Sequence, residues 1–158
     1  MRPRWNPNAT APTLDVSNTP LPSRVDSRQC QPFGAAWTVL ALSAITSAEA
    51  LDAVTMYEAT GWEGLMERAS GSPQPADFPS APGAVFPVYE VLALLAGVTH
   101  AHPTTSSDPD VAQALALGDG RVIVANATAV TQRPVVDDIE VEVAPYGVTV
   151  IDRRRNEG

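Results

Sequence analysis

Residues 51–64 read LDAVTMYEATGWEG, and this stretch changes character at its midpoint. The segment of residues 53–57 is β-branched, aromatic and apolar, which is typical of a buried strand. Its near-continuous apolar character favours a parallel strand that is covered on both faces. Glu58 then ends the apolar run, and Trp62, which is costly to leave in water, follows it closely. We therefore predict a buried parallel strand over residues 53–57 that ends on a carboxylate.

Two helical patterns flank the predicted strand. Residues 33–48 contain no proline and carry apolar side chains at helical spacing, which predicts a helix. The apolar stripe consists of Phe33, Trp37, Leu40, Ala41, Ala44 and Ile45. Val39 and Leu42 widen this stripe, so we expect neighbours on most faces of the helix. Residues 85–96 predict a second helix with Pro87 in its first turn, where a missing N–H costs little.

The pattern changes to antiparallel β structure after Gly97. The stretch AQALALGDGRVIVANAT, residues 112–128, predicts two strands joined by a Gly-Asp-Gly turn. In residues 139–143, Ile and Val alternate with Glu, which predicts a strand with one buried and one solvated face. The predicted fold class is therefore α/β followed by all-β. Residues 1–97 form the α/β part, and residues 98–158 form a small antiparallel, sandwich-like β domain.

The composition argues against several classes of partner. The 158 residues carry a formal net charge of −8 and every basic residue is arginine, so nucleic acid is not an expected partner. Cys30 is the only cysteine, which we expect to be a partly buried small residue rather than a nucleophile. There is no apolar run of about 20 residues and no signal-peptide pattern, so we expect no membrane partner and a cytoplasmic location. In that location the glycosylation sequon at Asn126 is not expected to carry a glycan.

The α/β part is too small to close on itself. A closed barrel takes eight strands, and two βα units leave backbone edges unpaired and apolar faces exposed. We therefore expect residues 1–97 to be the end of a longer unit. A missing N-terminal barrel portion or self-association would complete it.

Five blocks of the sequence carry a resemblance to a known family. They are RPRWN (2–6), LPSRVDSRQCQPFGAAWTVLAL (21–42), DAVTMYEATGWEGLMER (52–68), FPSAPGAVFPVYEVLALLA (78–96) and RVIVANAT with VAPYGVTVID (121–128 and 143–152). In this order they resemble the C-terminal part of the D-apionate lactonase (D-apionolactonase) family. The resemblance implies the last two βα units of a TIM barrel followed by a C-terminal β domain. It also implies hydrolysis of a sugar lactone, D-apionolactone, to D-apionate.

Within that resemblance, Glu58 is the candidate catalytic residue. Barrel chemistry lies at the C-terminal ends of the strands, and Glu58 ends the predicted eighth strand. Tyr57 and Trp62 would wall the carboxylate, raise its pKa and suit it to general acid or base catalysis. Arg4 and Asn6, at the end of the predicted seventh strand, would donate hydrogen bonds to the ligand, and Trp62 would stack on the sugar ring.

Further polar residues lie in the two loops around these elements. Asp26, Arg28 and Gln29 precede the first helix on the same rim and are candidate substrate-binding residues. The alternative is that they form a local salt bridge and a helix cap. Glu63 and Glu67 fit a short helical turn and are predicted to face solvent.

Other functions stay open or are set aside. His100 and His102 share a strand face but lack a third ligand, so we predict a linker there and no metal site. No Gly-rich phosphate loop, Cys pair or Gly-x-Ser-x-Gly elbow occurs, so neither a cofactor nor a serine nucleophile is expected. The alternatives to a lactonase are a fragment of a glycoside-hydrolase-like barrel and a non-catalytic β module that binds carbohydrate or mediates packing.

Overall fold

The computed structural model describes residues 20–47 and 53–153. Its helices are α1 (Pro32–Thr46) and α2 (Pro87–Leu95). Its strands are β1 (Glu58–Thr60), β2 (Gly64–Met66), β3 (Ala101–Thr104), β4 (Ala112–Leu117), β5 (Arg121–Asn126), β6 (Val135–Val136), β7 (Ile139–Glu140) and β8 (Val148–Asp152). Both predicted helices are confirmed, and Pro87 begins α2 as expected. In this part of the chain, neither helix has the length and apolar character that spanning a lipid bilayer requires.

A four-stranded antiparallel sheet in the order β3-β4-β5-β8 forms the centre of the molecule. The hairpin of β4 and β5 is confirmed, and Gly120 in its turn has a φ of 92°, which glycine adopts without a steric penalty. The predicted linker around His100 and His102 is wrong, because residues 101–104 pair with β4 as an edge strand. Pro103 is compatible with that position, since an edge strand needs backbone partners on one side only.

The first face of the sheet is covered by the helices. Ala35, Ala36 and Val39 of α1 are buried in one cluster with Leu115 and Ile123 of the sheet. Small side chains on the helix let its backbone approach the sheet closely without leaving voids. Residues from both predicted ranges, 1–97 and 98–158, therefore share one core.

The buried face of α1 differs from the predicted apolar stripe. Trp37 is 49% exposed and Ala44 is also exposed, although both belong to the stripe. The prediction gave most weight to the large apolar side chains. The sheet instead packs against the face of α1 that carries Ala35 and Ala36. The expectation that a missing part of a barrel or a second copy must enclose this helix is wrong for that face, since β4 and β5 of the same chain cover it.

The second face of the sheet is covered by β6, β7 and the residues that follow them. Val141 and Val143 are buried in a cluster with Val122 and Val124 of β5. Glu142 between them is exposed, so the predicted alternation of buried and solvated side chains is confirmed, but the strand predicted over residues 139–143 ends at Glu140. The described residues thus form three layers: helices, the central sheet and a short β ribbon.

The predicted strand over residues 53–57 is not formed. Val54 is 49% exposed, and Ala53 and Thr55 are exposed as well. No ladder joins this segment to another described segment, and a strand without a partner must leave its backbone groups to water. The nearest strand is β1, of which Glu58 is the first residue. Glu58 therefore opens a strand, whereas the sequence predicted that it would end one.

Glu67 corrects a further expectation. Its side chain was predicted to face solvent from a helical turn, but the residue is 1% exposed and follows β2 directly. Its carboxylate accepts hydrogen bonds from the backbone N–H of Arg68, at 2.8 Å, and from the hydroxyl of Ser80. These bonds offset the desolvation of a buried acid and fasten the long loop before α2.

Candidate functional site

A surface groove of about 540 Å³ lies between the N-terminal half of α1 and the segment that leads into β1. This volume is within the roughly 300–1,000 Å³ that sites for small molecules occupy. The residues that line the groove are Arg24, Asp26, Arg28, Gln29, Phe33, Gly34, Trp37, Thr55, Met56, Tyr57, Glu58 and Glu63.

The groove brings together most of the side chains that the sequence singled out. Those that line it are Asp26, Arg28, Gln29, Tyr57 and Glu58. Arg4 and Asn6 lie outside the described residues. The loop before α1 and the segment around Glu58 therefore meet at one surface, although α1 separates them along the chain.

Trp62 is not placed for the predicted stacking on a sugar ring. Its side chain packs beside Phe78, with ring centroids 6.4 Å apart, and belongs to an apolar cluster with Phe86. Its indole N–H donates a hydrogen bond to the hydroxyl of Ser72 at 3.1 Å. The tryptophan satisfies both its apolar ring and its polar N–H inside the core, which explains why it does not line the groove.

Asp26 and Arg28 form a local ion pair on the rim of the groove. Arg28 Nη2 lies 2.7 Å from Asp26 Oδ2, and Nε lies 3.0 Å from Oδ1. The hydrogen bond from Arg28 is the main reason that the pKa of Asp26 lies below its usual value. The predicted local salt bridge is confirmed. The predicted helix cap is wrong, because Gln31 occupies the N-cap position and its side chain makes no capping bond.

Arg28 also fixes the aromatic wall of the groove. Its guanidinium carbon lies 4.0 Å from the ring centroid of Phe33, a cation–π contact. Phe33 in turn meets the ring of Tyr146 edge to face, with centroids 5.6 Å apart. The β region thus supports a groove residue from behind.

Gln29 ties the loop before α1 to β2. Its side-chain amide donates to the carbonyl oxygen of Gly64 at 2.9 Å. Gly34 lies so close to this loop that a Cβ there would stand 2.5 Å from the carbonyl oxygen of Gln29. Only glycine permits this approach, so the loop and the start of α1 form one rigid wall.

Arg24 and Glu63 form a second ion pair, from opposite parts of the chain. Arg24 Nε lies 2.9 Å from Glu63 Oε1, and the arginine side chain is 67% exposed. Sequence reasoning did not select either residue for the site. Their contact depends on two loops that are distant in sequence, so no local pattern could have indicated it.

Glu58 is the groove's remaining carboxylate. It is exposed, and its backbone N–H donates to the carbonyl oxygen of Glu63 at 2.9 Å. Among residues 20–47 and 53–153, no side chain forms an ion pair with its carboxylate. Glu58 thus offers the groove a carboxylate that no described cation neutralises.

Trp37 was predicted to lie in the core, but the structure places its side chain in the groove. Half of it is exposed, and it lies on α1 one turn after Phe33. An exposed indole ring offers a flat apolar surface to the apolar face of a ligand. In the sequence, the only indication that Trp37 could line a groove was its position in the wide apolar stripe of the helix.

Two minor candidates stand apart from this arrangement. Cys30 is half-buried as predicted, and burial raises the pKa of its thiol. His100 and His102 are exposed, and within the described residues no three His, Cys, Asp or Glu side chains are grouped so that they could hold a metal ion.

The comparisons with known proteins bear on the first part of the chain. A family model described as the TIM barrel domain of D-apionate lactonase matches residues 1–100, which is more than half of the sequence. No curated protein and no solved structure matches the chain. The matched range contains every residue that lines the groove.

Proposed function

Since the chain belongs to the D-apionate lactonase family, we propose that the groove is part of a site where a sugar lactone, D-apionolactone, is hydrolysed to D-apionate. The observation that carries the proposal is the combination in one groove of an unneutralised carboxylate, Glu58, with the half-exposed ring of Trp37. The carboxylate suits proton transfer and the indole suits the apolar face of a sugar.

In this reaction the oxygen of a water molecule forms a bond to the lactone carbonyl carbon. Glu58 accepts the proton that the water loses, and a tetrahedral intermediate with a negative oxygen results. The ring C–O bond then breaks, and the proton returns to the departing hydroxyl oxygen. The products are a free hydroxyl group and a carboxylic acid, which ionises to D-apionate.

Two arginine side chains on the rim, Arg24 and Arg28, would donate hydrogen bonds to the negative oxygen. A guanidinium carries five N–H groups, and Arg28 uses its Nε and one Nη for the side chain of Asp26. Arg24 makes a single described ion pair, with Glu63, and is largely exposed. Both cations therefore keep donors for a ligand oxygen that gains charge in the transition state.

The proposed function is tested by acid release from D-apionolactone, followed with a pH indicator at known protein concentration. We expect a saturable rate that is proportional to the amount of protein and exceeds the rate in buffer. A protein that neither binds the lactone nor accelerates its opening would refute the proposal.

Trp37→Ala is expected to raise KM for the lactone about tenfold with little change in kcat. The indole contributes contact that is equal in the ground state and the transition state, and a tenfold change corresponds to about 1.4 kcal/mol. Tyr89→Ala is the matched control, because Tyr89 is an exposed aromatic residue of α2 outside the groove. An unchanged KM in the Trp37 variant would show that the ring does not contact the substrate.

The second candidate is carbohydrate binding without turnover. The observation that favours it is that Asp26 and Glu63 are both engaged in ion pairs, which leaves Glu58 as the one acid without an ion pair among the described residues that line the groove. Saturable binding of the lactone in calorimetry, without any acid release, would select this function over hydrolysis.

A further inference from the structure

The segment before Glu58 lacks the usual support of a strand, although Glu58 itself pairs with Gly64 of β2. Residues 53–57 have no ladder partner among the described residues, and β1 itself is three residues long. A carboxylate that transfers a proton must be held within about 0.5 Å of its working position. Some other contact must therefore fix the backbone just before Glu58.

That contact is a hydrogen bond between Tyr57 and Thr38 of α1. The phenol oxygen of Tyr57 lies 2.6 Å from Thr38 Oγ1. The Thr38 hydroxyl donates its only hydrogen to the carbonyl oxygen of Gly34, at 2.7 Å. Because that hydrogen is used, the phenol of Tyr57 must be the donor in the Tyr57–Thr38 bond.

Both ends of this bond are held firmly. Thr38 is fully buried, and Gly34 is locked against the loop before α1 by its close approach to Gln29. The ring of Tyr57 packs on the cluster of Phe78 and Phe86. Burial raises the pKa of Tyr57, so its phenol keeps the proton that it donates at neutral pH.

We propose that Tyr57 and Thr38 are positioning residues for Glu58: their hydrogen bond anchors residue 57 to α1 and so sets where the next residue presents its carboxylate. The inference rests on the proposed function of Glu58. It adds that α1, through a single buried hydroxyl, fixes the residue before Glu58, beside the pairing of Glu58 itself with Gly64 of β2.

The test is kinetic and uses four variants of the chain. Tyr57→Phe and Thr38→Val each remove the hydrogen bond, and we expect each to lower kcat about tenfold while KM changes less than about twofold. The double variant is expected to lose about as much as Thr38→Val alone, because that change already breaks the bond between Thr38 and Tyr57. Thr38→Ser keeps the hydroxyl and should retain a kcat close to that of the wild type.

Two controls separate positioning from general damage. Tyr89→Phe removes an exposed phenol hydroxyl elsewhere and should leave kcat unchanged. Hydrogen exchange of the peptide over residues 58–66, in which Glu58 donates its N–H to Glu63, should become faster in Tyr57→Phe, while peptides from β4 and β5 stay protected. This measurement does not require turnover.

The outcomes distinguish this inference from the proposed function. If Glu58→Gln is inactive but Tyr57→Phe has wild-type kcat and wild-type exchange, the positioning role is wrong and the function of Glu58 survives. Additive losses in the double variant, or no recovery in Thr38→Ser, would likewise overturn the positioning role. If Glu58→Gln is as active as the wild type, the proposed function fails and the inference fails with it.

Discussion

Glu58→Gln is expected to lower kcat for lactone hydrolysis by about 100-fold or more, because the amide cannot accept the proton that the attacking water loses. Glutamine keeps the length and shape of the side chain and its exposed position at the start of β1. Binding of the lactone should therefore change little. The measurement is acid release under saturating D-apionolactone, together with the lactone affinity from calorimetry.

The control for this prediction is Glu140→Gln. Glu140 is an exposed acid of β7, outside the groove, so its neutralisation changes the net charge by the same amount without touching the site. We expect wild-type kinetics from it. Equal rates in the wild type and in Glu58→Gln would remove Glu58 from the chemistry, and a thermal unfolding curve for each variant would show whether either change disturbs the fold.

The sequence was informative where a signal is local. The helix α1 (Pro32–Thr46), predicted over residues 33–48, followed from apolar spacing, and Pro87 marked the beginning of α2. The hairpin followed from a Gly-Asp-Gly turn between two apolar runs. Each of these features depends on backbone preferences within a few residues, which the sequence states directly.

The sequence was misleading where a distant partner decides the outcome. The apolar run of residues 53–57 satisfies every local rule for a strand, yet a strand requires a neighbouring backbone that composition does not reveal. Glu67 looked like a solvated acid because its partner, Ser80, lies across a proline-rich loop. In both cases the tertiary contact overrides the local pattern.

The candidate site shows the same division. Asp26, Arg28 and Gln29 were selected because charge is concentrated just before a helix, and the structure does bring them to the groove with Glu58. Trp37 and Trp62 exchange the roles that the sequence predicted for them. Trp62 packs against the cluster of Phe78 and Phe86. Trp37 lines the groove, because the sheet covers the face of α1 that carries Ala35 and Ala36, and the strands that cover it lie far along the chain.

Asn126 is the residue whose importance the sequence concealed most completely. Its place in the predicted hairpin and in a sequon indicated no special role, yet it is fully buried at the end of β5. The two N–H groups of its side-chain amide lie within hydrogen-bonding distance of three carbonyl oxygens, those of Val130 at 2.7 Å, Ala144 at 2.9 Å and Val143 at 3.2 Å, so one N–H is shared between two of them. Its Oδ1 accepts from the backbone N–H and the hydroxyl of Thr128, both at 2.8 Å.

Asn126→Ala is therefore expected to lower the free energy of unfolding by about 2–4 kcal/mol, because one change removes a whole group of buried hydrogen bonds. Asn126→Asp should be at least as destabilising at neutral pH, since it replaces the donating amide with an oxygen that faces carbonyl oxygens. Urea unfolding measures both values. Gln113→Ala, which loses one long hydrogen bond of 3.4 Å at the surface, should stay within about 0.5 kcal/mol of the wild type. If Asn126→Ala matched this control, Asn126 would not organise the turns that connect the central sheet to the β ribbon.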